Sequence, residues 1–244
     1  MKNAFPFVRT ELPDWMVPVI EKVAAKMHDD ATGHDLLHAV RVMELAGAIA
    51  KELGVEKEPT MTAGLLHDYY RKEEKQSGQL HYGPEAIAAL RQEFGSMIAE
   101  ALGKDGLEDV LAAIARHEEY YFDQDQGEDV LALPVLLQIL QDADRIEAIG
   151  AVGVARTFMF GGAHGLPLAE DAEINANTWF DPGTRPKGSV HQHFYEKLLR
   201  LKDGMHTAPG RKLAEERHQF MLMFVRQLES ELELESPDAV NLAR

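Results

Sequence analysis

The residues best suited to chemistry are His67 and Asp68, which directly follow two leucines in a helical pattern that begins near Pro59. Their apolar neighbours predict that this end of the helix reaches a partly buried site. An imidazole and a carboxylate buried there without partners cost on the order of several kcal/mol. A divalent cation removes that cost, because neutral imidazole and carboxylate are ordinary metal ligands. The pair is common in proteins, and it becomes informative only together with His38 upstream and Asp144 downstream.

His38 shares one stripe of the preceding predicted helix with large apolar residues. Two interpretations fit a histidine on an apolar face: a core histidine that hydrogen-bonds to a backbone carbonyl, and a metal ligand. The spacing alone favours the core histidine, since assignments of sites from a single sequence are weak. The metal interpretation therefore depends on the other candidate ligands. The stripe consists of His38, Val42, Leu45, Ile49 and Leu53, which recur at helical spacing.

Asp142 and Asp144 interrupt the longest apolar helix, which is predicted from Pro134 to about Phe160. Residues that are two positions apart in a helix point in directions about 200° apart around its axis, so these two carboxylates do not face the same site. The helix is apolar on nearly every side, and its pattern leaves open which carboxylate faces inward.

The adjacent residues His67 and Asp68 differ by about 100° around their helix. An ion that both residues bind therefore lies off the helix edge, towards a second helix. Gly64, one turn before Asp68, is expected to let the backbone of that second helix come close.

The composition excludes several classes of protein. The chain has 244 residues, a net charge of −16 and no cysteine. Nucleic-acid polymers are bound mainly through contacts to their phosphates, so a chain with this acidic charge is not expected to form a long basic groove for them. It can still bind an anionic small molecule, for which a metal and a few local cations suffice. Disulfides, thiolate metal sites and cysteine nucleophiles are excluded. No stretch reaches the roughly 20 apolar residues of a membrane span, and the first residues lack a signal-peptide core, so we expect a soluble cytoplasmic protein.

No segment combines the length and the alternation of a strand, so the sequence predicts an all-α fold. We expect a single domain over residues 1–244, with an N-terminal arm (1–12), an irregular loop or lid (161–188) and C-terminal helices (189–235) that pack on the core. A loop of that length is typical of a lid, an interface arm or a flap. The remaining predicted helices are Pro13–Asp30, Pro84–Phe94, Met97–Leu102, Leu107–His117, Val190–Leu201 and Leu213–Leu234.

The ordered set His38, His67-Asp68 and Asp144 resembles the HD superfamily of metal-dependent phosphohydrolases, whose pattern is H…HD…D on helices. The resemblance is to a branch of small bacterial HD hydrolases that act on nucleotides, and it covers most of the chain. It implies an HD-domain helical bundle with extra C-terminal helices. The segments that carry it are Gly33–Val42, Leu65–Asp68, Gln141–Gly150, Gly153–Phe158 and His193–Asp203.

The resemblance also implies the metal ligands, and it selects Asp144 over Asp142. The implied ligands are His38, His67, Asp68 and Asp144. Two imidazoles and two carboxylates leave coordination positions open for water and a phosphate oxygen. Mn²⁺ is the divalent ion that we expect, and Fe²⁺, Co²⁺, Ni²⁺, Zn²⁺ or Mg²⁺ are the alternatives.

One position departs from the pattern of the superfamily. Some nucleotide-cleaving HD enzymes carry an acidic, water-activating residue three positions after the HD aspartate, and here that residue is Arg71. Either the base lies elsewhere or a metal-bound hydroxide suffices, and His117 is our first candidate for transferring a proton or contacting the substrate phosphate. His34 is the second candidate, because it lies one helical turn before His38 on the same predicted face. His81 and His117 are also candidate ligands of a second ion, as in two-metal HD proteins.

The predicted substrate is a phosphorylated small molecule. Arg71, Lys72, Lys197 and Lys202 are the candidate phosphate contacts, although a solvated helix end also explains the first two. The branch implies cleavage of a nucleoside triphosphate to a monophosphate and pyrophosphate, and dephosphorylation of a nucleoside monophosphate is the near alternative. Two further alternatives are a di-iron HD-type oxygenase and a non-catalytic helical binding module. We expect no nucleic-acid polymer and no membrane as partner, and a homo-oligomer is compatible with the sequence.

Overall fold

The computed structural model describes residues 7–27, 33–119, 133–170 and 188–234. Within these ranges the regular structure is helical and contains no strand, which confirms the predicted all-α fold. Short 3-10 segments at Asp14–Met16 and Leu198–Gly204 precede the first and last helices. Helices α1 to α9 are Val17–Lys26, Leu36–Leu53, Lys57–Leu66, Arg71–Ser77, Pro84–Arg116, Val135–Glu147, Gly150–His164, Val190–Glu196 and Ala208–Leu232.

The chain forms two compact units. The first consists of Met1–Asp30 and His34–Asp144, and the second consists of Ala31–Gly33 and Arg145–Arg244. The boundary falls within α6, so this helix contributes residues to both units. The single domain that the sequence predicts over residues 1–244 stays a prediction.

Helices α2 and α3 of the first unit pack closely because Gly64 has no side chain. A Cβ atom at Gly64 would lie 3.0 Å from the backbone N and Cα atoms of Met43 in α2, which confirms the close approach expected there. Asp35 caps α2, since its side chain accepts a hydrogen bond of 2.8 Å from the backbone N–H of His38. The cap and the close packing place His38 opposite the end of α3.

Helix α5 joins segments that the sequence analysis separates. The predicted helices Pro84–Phe94, Met97–Leu102 and Leu107–His117 form one element, Pro84–Arg116, which Gly103 kinks with a φ of 78° and a ψ of 172°. The predicted break between Phe94 and Met97 is therefore wrong. The predicted break between Leu102 and Leu107 is a kink within the helix. This left-handed φ is open to glycine at little cost, which explains why the path bends at this residue.

The predicted helix Pro134–Phe160 is wrong as a single element. Helix α6 ends at Glu147, and α7 begins at Gly150, which has a positive φ of 77°. Glycine takes this conformation without the steric cost of a side chain, so the helix breaks here despite its apolar neighbours. Asp144 consequently lies in the last turn of α6 rather than in the middle of a long helix.

The second unit contains the C-terminal helices that the sequence predicts, with different bounds. Thr207 caps α9 by accepting a hydrogen bond of 3.0 Å from the backbone N–H of Gly210, so α9 begins earlier than the predicted Leu213. The helix predicted over Val190–Leu201 ends at Glu196, where a 3-10 segment replaces it.

The predicted loop 161–188 begins later than expected, because α7 continues to His164. Residues 165–170 are non-helical, and residues 171–187 lie outside the described ranges, as do 1–6 of the predicted arm. In the part of the chain that the structure describes, no single helix is long and apolar enough to cross a membrane. Helices α6 and α7 meet that criterion only as a bent pair, by length and composition.

Candidate metal centre

Four side chains of the first unit bring nitrogen and oxygen atoms together. We call His38, His67, Asp68 and Asp144 the first donor group. The Nε2 atoms of His38 and His67 each lie 3.5 Å from the Oδ2 atom of Asp68. The Oδ1 atom of Asp144 lies 3.5 Å from Nε2 of His38 and 3.6 Å from Nε2 of His67. Residues from three separate stretches of sequence therefore converge on one place.

The ends of three helices position the first donor group. His38 lies in the first turn of α2, His67 and Asp68 directly follow α3, and Asp144 lies in the last turn of α6. The Nδ1 atom of His67 lies 2.8 Å from the carbonyl oxygen of Gly64. Nδ1 is therefore the protonated nitrogen, and Nε2 directs its lone pair towards the other donors.

The first donor group fits a divalent ion. The Nε2 atom of His67 is buried and has no hydrogen-bond partner among the residues that the structure describes, which is unfavourable unless a further group binds it. Two ligand atoms that each lie about 2.1 Å from an ion are roughly 3.4 Å apart at the tetrahedral angle. The observed separations of 3.5 and 3.6 Å correspond closely to such a shell.

Both carboxyl groups of the first donor group are ionised at neutral pH. Burial opposes the charge of Asp68, but the imidazoles of His67, His38 and His81 hold its pKa well below the usual value. Burial also opposes the charge of Asp144, and the imidazoles of His38 and His67 again lower the pKa. The two aspartates are thus in the form that binds a cation.

Asp144 marks the open side of the first donor group. His38, His67 and Asp68 are at most 3% exposed, whereas the side chain of Asp144 is 23% exposed. Asp142 is fully buried, as expected for a residue about 200° away around the helix. Asp144 therefore lies beside the other donors and Asp142 does not, and the part of Asp144 as a metal ligand stays a prediction.

A second set of donors lies on the other side of Asp68. We call Asp68, His81 and His117 the second donor group. The Oδ1 atom of Asp68 lies 3.0 Å from Nε2 of His81, which lies 3.4 Å from Nε2 of His117. One ligand atom from each residue lies within 4.8 Å of the others, so this group also has the spacing of a metal site. Asp68 offers one carboxylate oxygen to each group.

Neighbouring residues orient both imidazoles of the second donor group. Nδ1 of His117 lies 2.7 Å from the carbonyl oxygen of Ile114, and Nδ1 of His81 lies 2.6 Å from Oε2 of Glu74. Burial and the nearby His67 lower the pKa of His117 to about 4, so this ring is neutral at pH 7. Its predicted part in proton transfer or phosphate binding stays a prediction.

Arg71 begins α4 and lies against the second donor group. Its Nη1 atom lies 3.2 Å from Nε2 of His81, 3.1 Å from Oε1 of Glu118 and 3.4 Å from Oε2 of Glu74. Burial opposes the charge, but Asp68, Glu118 and Glu74 outweigh burial and raise the pKa of Arg71. The interpretation of Arg71 as part of a solvated helix end is therefore wrong.

Glu74 and Glu118 also lie at this site, and neither is among the residues predicted from the sequence. Glu118 directly follows His117, and Glu74 lies one helical turn after Arg71. These short spacings are the signals that point to both residues. They become meaningful only once His81 and Arg71 are known to face each other, which depends on the turn after α4.

The other predicted site residues lie farther from the donors or in the second unit. His34 precedes α2, which begins at Leu36, so the expected spacing of one helical turn to His38 is wrong; the two ring centroids are 5.7 Å apart. Lys72 is exposed on α4. Lys197 and Lys202 lie in the second unit, and their predicted contact with substrate stays a prediction.

Comparison with known proteins identifies the family. A family model described as HD domain matches residues 36–149, which include every member of both donor groups. The uncharacterized protein YpgQ of Bacillus subtilis is 35% identical over 212 residues, covering 86% of this chain and 90% of YpgQ.

Solved structures show the same likeness. The crystal structure of Bacillus subtilis YpgQ in complex with ADP has a TM-score of 0.61 and 31% identity, and the match covers 87% of this chain and 97% of YpgQ. An HD-superfamily hydrolase from Bacillus thuringiensis has a TM-score of 0.62 and 29% identity over 89% of this chain and 96% of that protein. The crystal structure of a Lactobacillus plantarum protein has a TM-score of 0.68 and 27% identity, and the match covers 92% of this chain and 99% of that protein.

Proposed function

Because the chain belongs to the HD domain family, we propose that it is a metal-dependent phosphohydrolase that acts on a nucleotide and holds one divalent ion in the first donor group. The observation that carries this proposal is the convergence of two imidazole nitrogens and two carboxylate oxygens at separations of 3.5 and 3.6 Å. The complex of the similar protein YpgQ with ADP supports a nucleotide as the ligand class.

Each residue of the site has its own task in this proposal. His38 and His67 supply neutral lone pairs, and Asp68 and Asp144 supply the negative charge that a cation needs. A divalent ion held there would lower the pKa of a water ligand and polarise a phosphoryl oxygen. Arg71 places a permanent positive charge beside Asp68, where it offsets the charge of an approaching phosphate. Positioning and charge neutralisation of this kind carry most of the rate in phosphoryl transfer.

The finer proposals concern substrate and metal. We expect hydrolysis of a nucleoside triphosphate to a monophosphate and pyrophosphate. We expect Mn²⁺ as the ion, because a mixture of nitrogen and oxygen donors without sulfur suits Mn²⁺ better than Mg²⁺. Lys72, Lys197 and Lys202 are the proposed additional phosphate contacts, and His117 and His34 are the proposed groups for proton transfer.

A panel of nucleoside mono-, di- and triphosphates with Mn²⁺ tests the reaction. Chromatography of the products, with separate assays for phosphate and pyrophosphate, distinguishes the alternatives. We expect pyrophosphate from triphosphates. Phosphate from monophosphates would favour the phosphatase alternative, and turnover of none of the nucleotides would end the proposal.

Asp68→Asn tests whether the first donor group carries the activity. The substitution keeps the shape of the side chain but removes the charge, so we expect loss of the bound ion and a fall in kcat/KM of about 10³ or more, the scale of a lost electrostatic stabiliser. Asp109→Asn is the matched control, because Asp109 is exposed on α5. It should retain both the ion and the activity.

The second donor group favours one further candidate, a di-iron oxygenase, because a two-iron site needs more than four ligands. The positive charge of Arg71 between His81 and Glu118 disfavours it. Two irons per purified chain together with O₂ consumption would establish the oxygenase, and a single divalent ion with phosphate or pyrophosphate release would exclude it.

A further inference from the structure

We propose that Arg71 takes the place of a second metal ion. Its guanidinium supplies the positive charge beside His81 and Glu118, so the chain binds one ion, and removal of that charge opens a second ion site. This inference rests on the proposed function, in which the first donor group binds one ion.

Glu118 provides a further carboxylate beside His81 of the second donor group. Oε1 of Glu118 lies 3.9 Å from Nε2 of His81, and Nε2 of His81 lies 3.0 Å from Oδ1 of Asp68 and 3.4 Å from Nε2 of His117. Two imidazoles and the carboxylate of Asp68 therefore lie together, with the carboxylate of Glu118 beside His81, which are the same donor types as in the first group. Such a set suits a divalent ion.

A cation of the chain already lies among these donors. Nη1 of Arg71 lies 2.9 Å from Nδ1 and 3.2 Å from Nε2 of His81, and it also lies 3.1 Å from Oε1 of Glu118 and 3.4 Å from Oε2 of Glu74. A guanidinium stays protonated at every physiological pH. A divalent ion bound to the same nitrogen and carboxylate would lie only a few ångströms from this charge, where repulsion is strong.

Asp68 links the two positions. Its Oδ2 atom faces His38 and His67, and its Oδ1 atom faces His81. Without the charge of Arg71, the same carboxylate can bridge two ions about 3.5–4 Å apart, the spacing of two-metal sites. The bridge gives the second ion a distinct spectroscopic signature, because two bridged Mn²⁺ ions are magnetically coupled.

The test measures the number of bound ions and their coupling. Wild type, Arg71→Gln, Lys72→Gln and the double variant Arg71→Gln/His117→Gln are dialysed against Mn²⁺ without nucleotide, and bound manganese per chain is determined by elemental analysis. Lys72→Gln is the matched control, because it removes one positive charge from the neighbouring, exposed position on α4. Electron paramagnetic resonance then separates isolated from coupled Mn²⁺.

We expect one ion in wild type, two coupled ions in Arg71→Gln, and one isolated ion in Lys72→Gln and in the double variant. One ion in both wild type and Arg71→Gln would overturn the inference and leave the proposed function intact. Two ions in wild type would also overturn the inference and leave the proposed function intact. No ion in either protein would overturn the proposed function itself.

Folding is a separate readout of the same test. Removing Arg71 leaves the carboxylates of Asp68, Glu74 and Glu118 close together, so added Mn²⁺ should raise the thermal midpoint of Arg71→Gln more than that of wild type. Arg71→Met, which keeps the aliphatic stem, is the second variant. Failure of both variants to fold at saturating Mn²⁺ would overturn the inference, because it requires the ion to replace the lost charge.

Discussion

The two donor groups share Asp68 but differ in how their negative charge is balanced. The first sets Asp68 and Asp144 against two imidazoles, and the Nε2 atom of His67 points at them without a hydrogen-bond partner in the described part of the chain. The second sets Asp68 against two imidazoles and the guanidinium of Arg71. Under the two proposals above, the first group takes its cation from solution, whereas Arg71 supplies the cation of the second group.

Asp144→Asn provides the largest expected contrast between the groups. It removes a charged donor from the first group only, so we expect Mn²⁺ binding to be lost and kcat/KM to fall by about 10³ or more. His117→Asn removes a donor from the second group and should leave the bound ion in place. Calorimetric titration with Mn²⁺ and the nucleotide assay measure both effects. Equal loss of the ion in the two variants would remove the distinction between the groups.

The second donor group should make the stability of the protein depend on pH, because it contains the buried residue His117. The pKa of His117 is about 4 in the folded protein and about 6.5 in the unfolded chain. Between these values the unfolded chain binds more protons, so the free energy of unfolding of the metal-free protein falls as pH decreases from about 6.5 to about 4, by up to ~3 kcal/mol. Denaturant titrations across this range measure the slope.

His117→Asn is the control for this pH dependence. The variant lacks the titrating group, so its stability should fall less steeply over the same interval. His206, whose pKa is also lowered to about 4 by burial and by Arg145, contributes equally to both proteins and cancels in the difference. Identical slopes for wild type and variant would show that His117 is not the buried neutral group described above.

Gly64→Ala tests the packing that brings the members of the first group together. The new Cβ atom would lie 3.0 Å from the backbone of Met43, so α2 and α3 must separate, at a cost of about 1–3 kcal/mol of unfolding free energy. Because His38 lies on α2 and His67 follows α3, we also expect weaker Mn²⁺ binding. Thermal unfolding and calorimetric titration measure the two effects.

Gly95→Ala is the matched control for Gly64→Ala. A Cβ atom at Gly95 would meet its nearest neighbour at an ordinary contact distance of 3.5 Å, and alanine favours a helix over glycine by about 0.5–1 kcal/mol. This variant should therefore be as stable as wild type or slightly more stable, with unchanged Mn²⁺ binding. Equal destabilisation in both variants would contradict the special role of the α2–α3 contact.

The sequence predicts those parts of the site that local pattern determines. Helical periodicity places His38 on an apolar face, the His67-Asp68 pair ends a helix, and Gly64 admits a neighbouring backbone, all as the structure shows. The choice between Asp142 and Asp144 is different, because the surrounding helix is apolar on nearly every side. There the resemblance to a family supplies what periodicity does not.

The features that sequence reasoning misses depend on backbone turns and on contacts between distant residues. The break at Gly150 and the kink at Gly103 are glycine conformations that periodicity does not reveal. Arg71 is predicted from the sequence as a phosphate contact or a solvated cation, but its contact with His81 depends on the turn after α4. The position of Glu118 directly after His117 is a weak signal, and its distances to Arg71 and His81 show that it lies at this site.

The position of the ion in crystals grown with Mn²⁺ tests the central claim most directly. Anomalous difference density should show a peak among Nε2 of His38, Nε2 of His67, Oδ2 of Asp68 and Oδ1 of Asp144, with about 2.0–2.3 Å to each ligand. The absence of a peak there, in a protein preparation that hydrolyses nucleotides with Mn²⁺, would contradict the account.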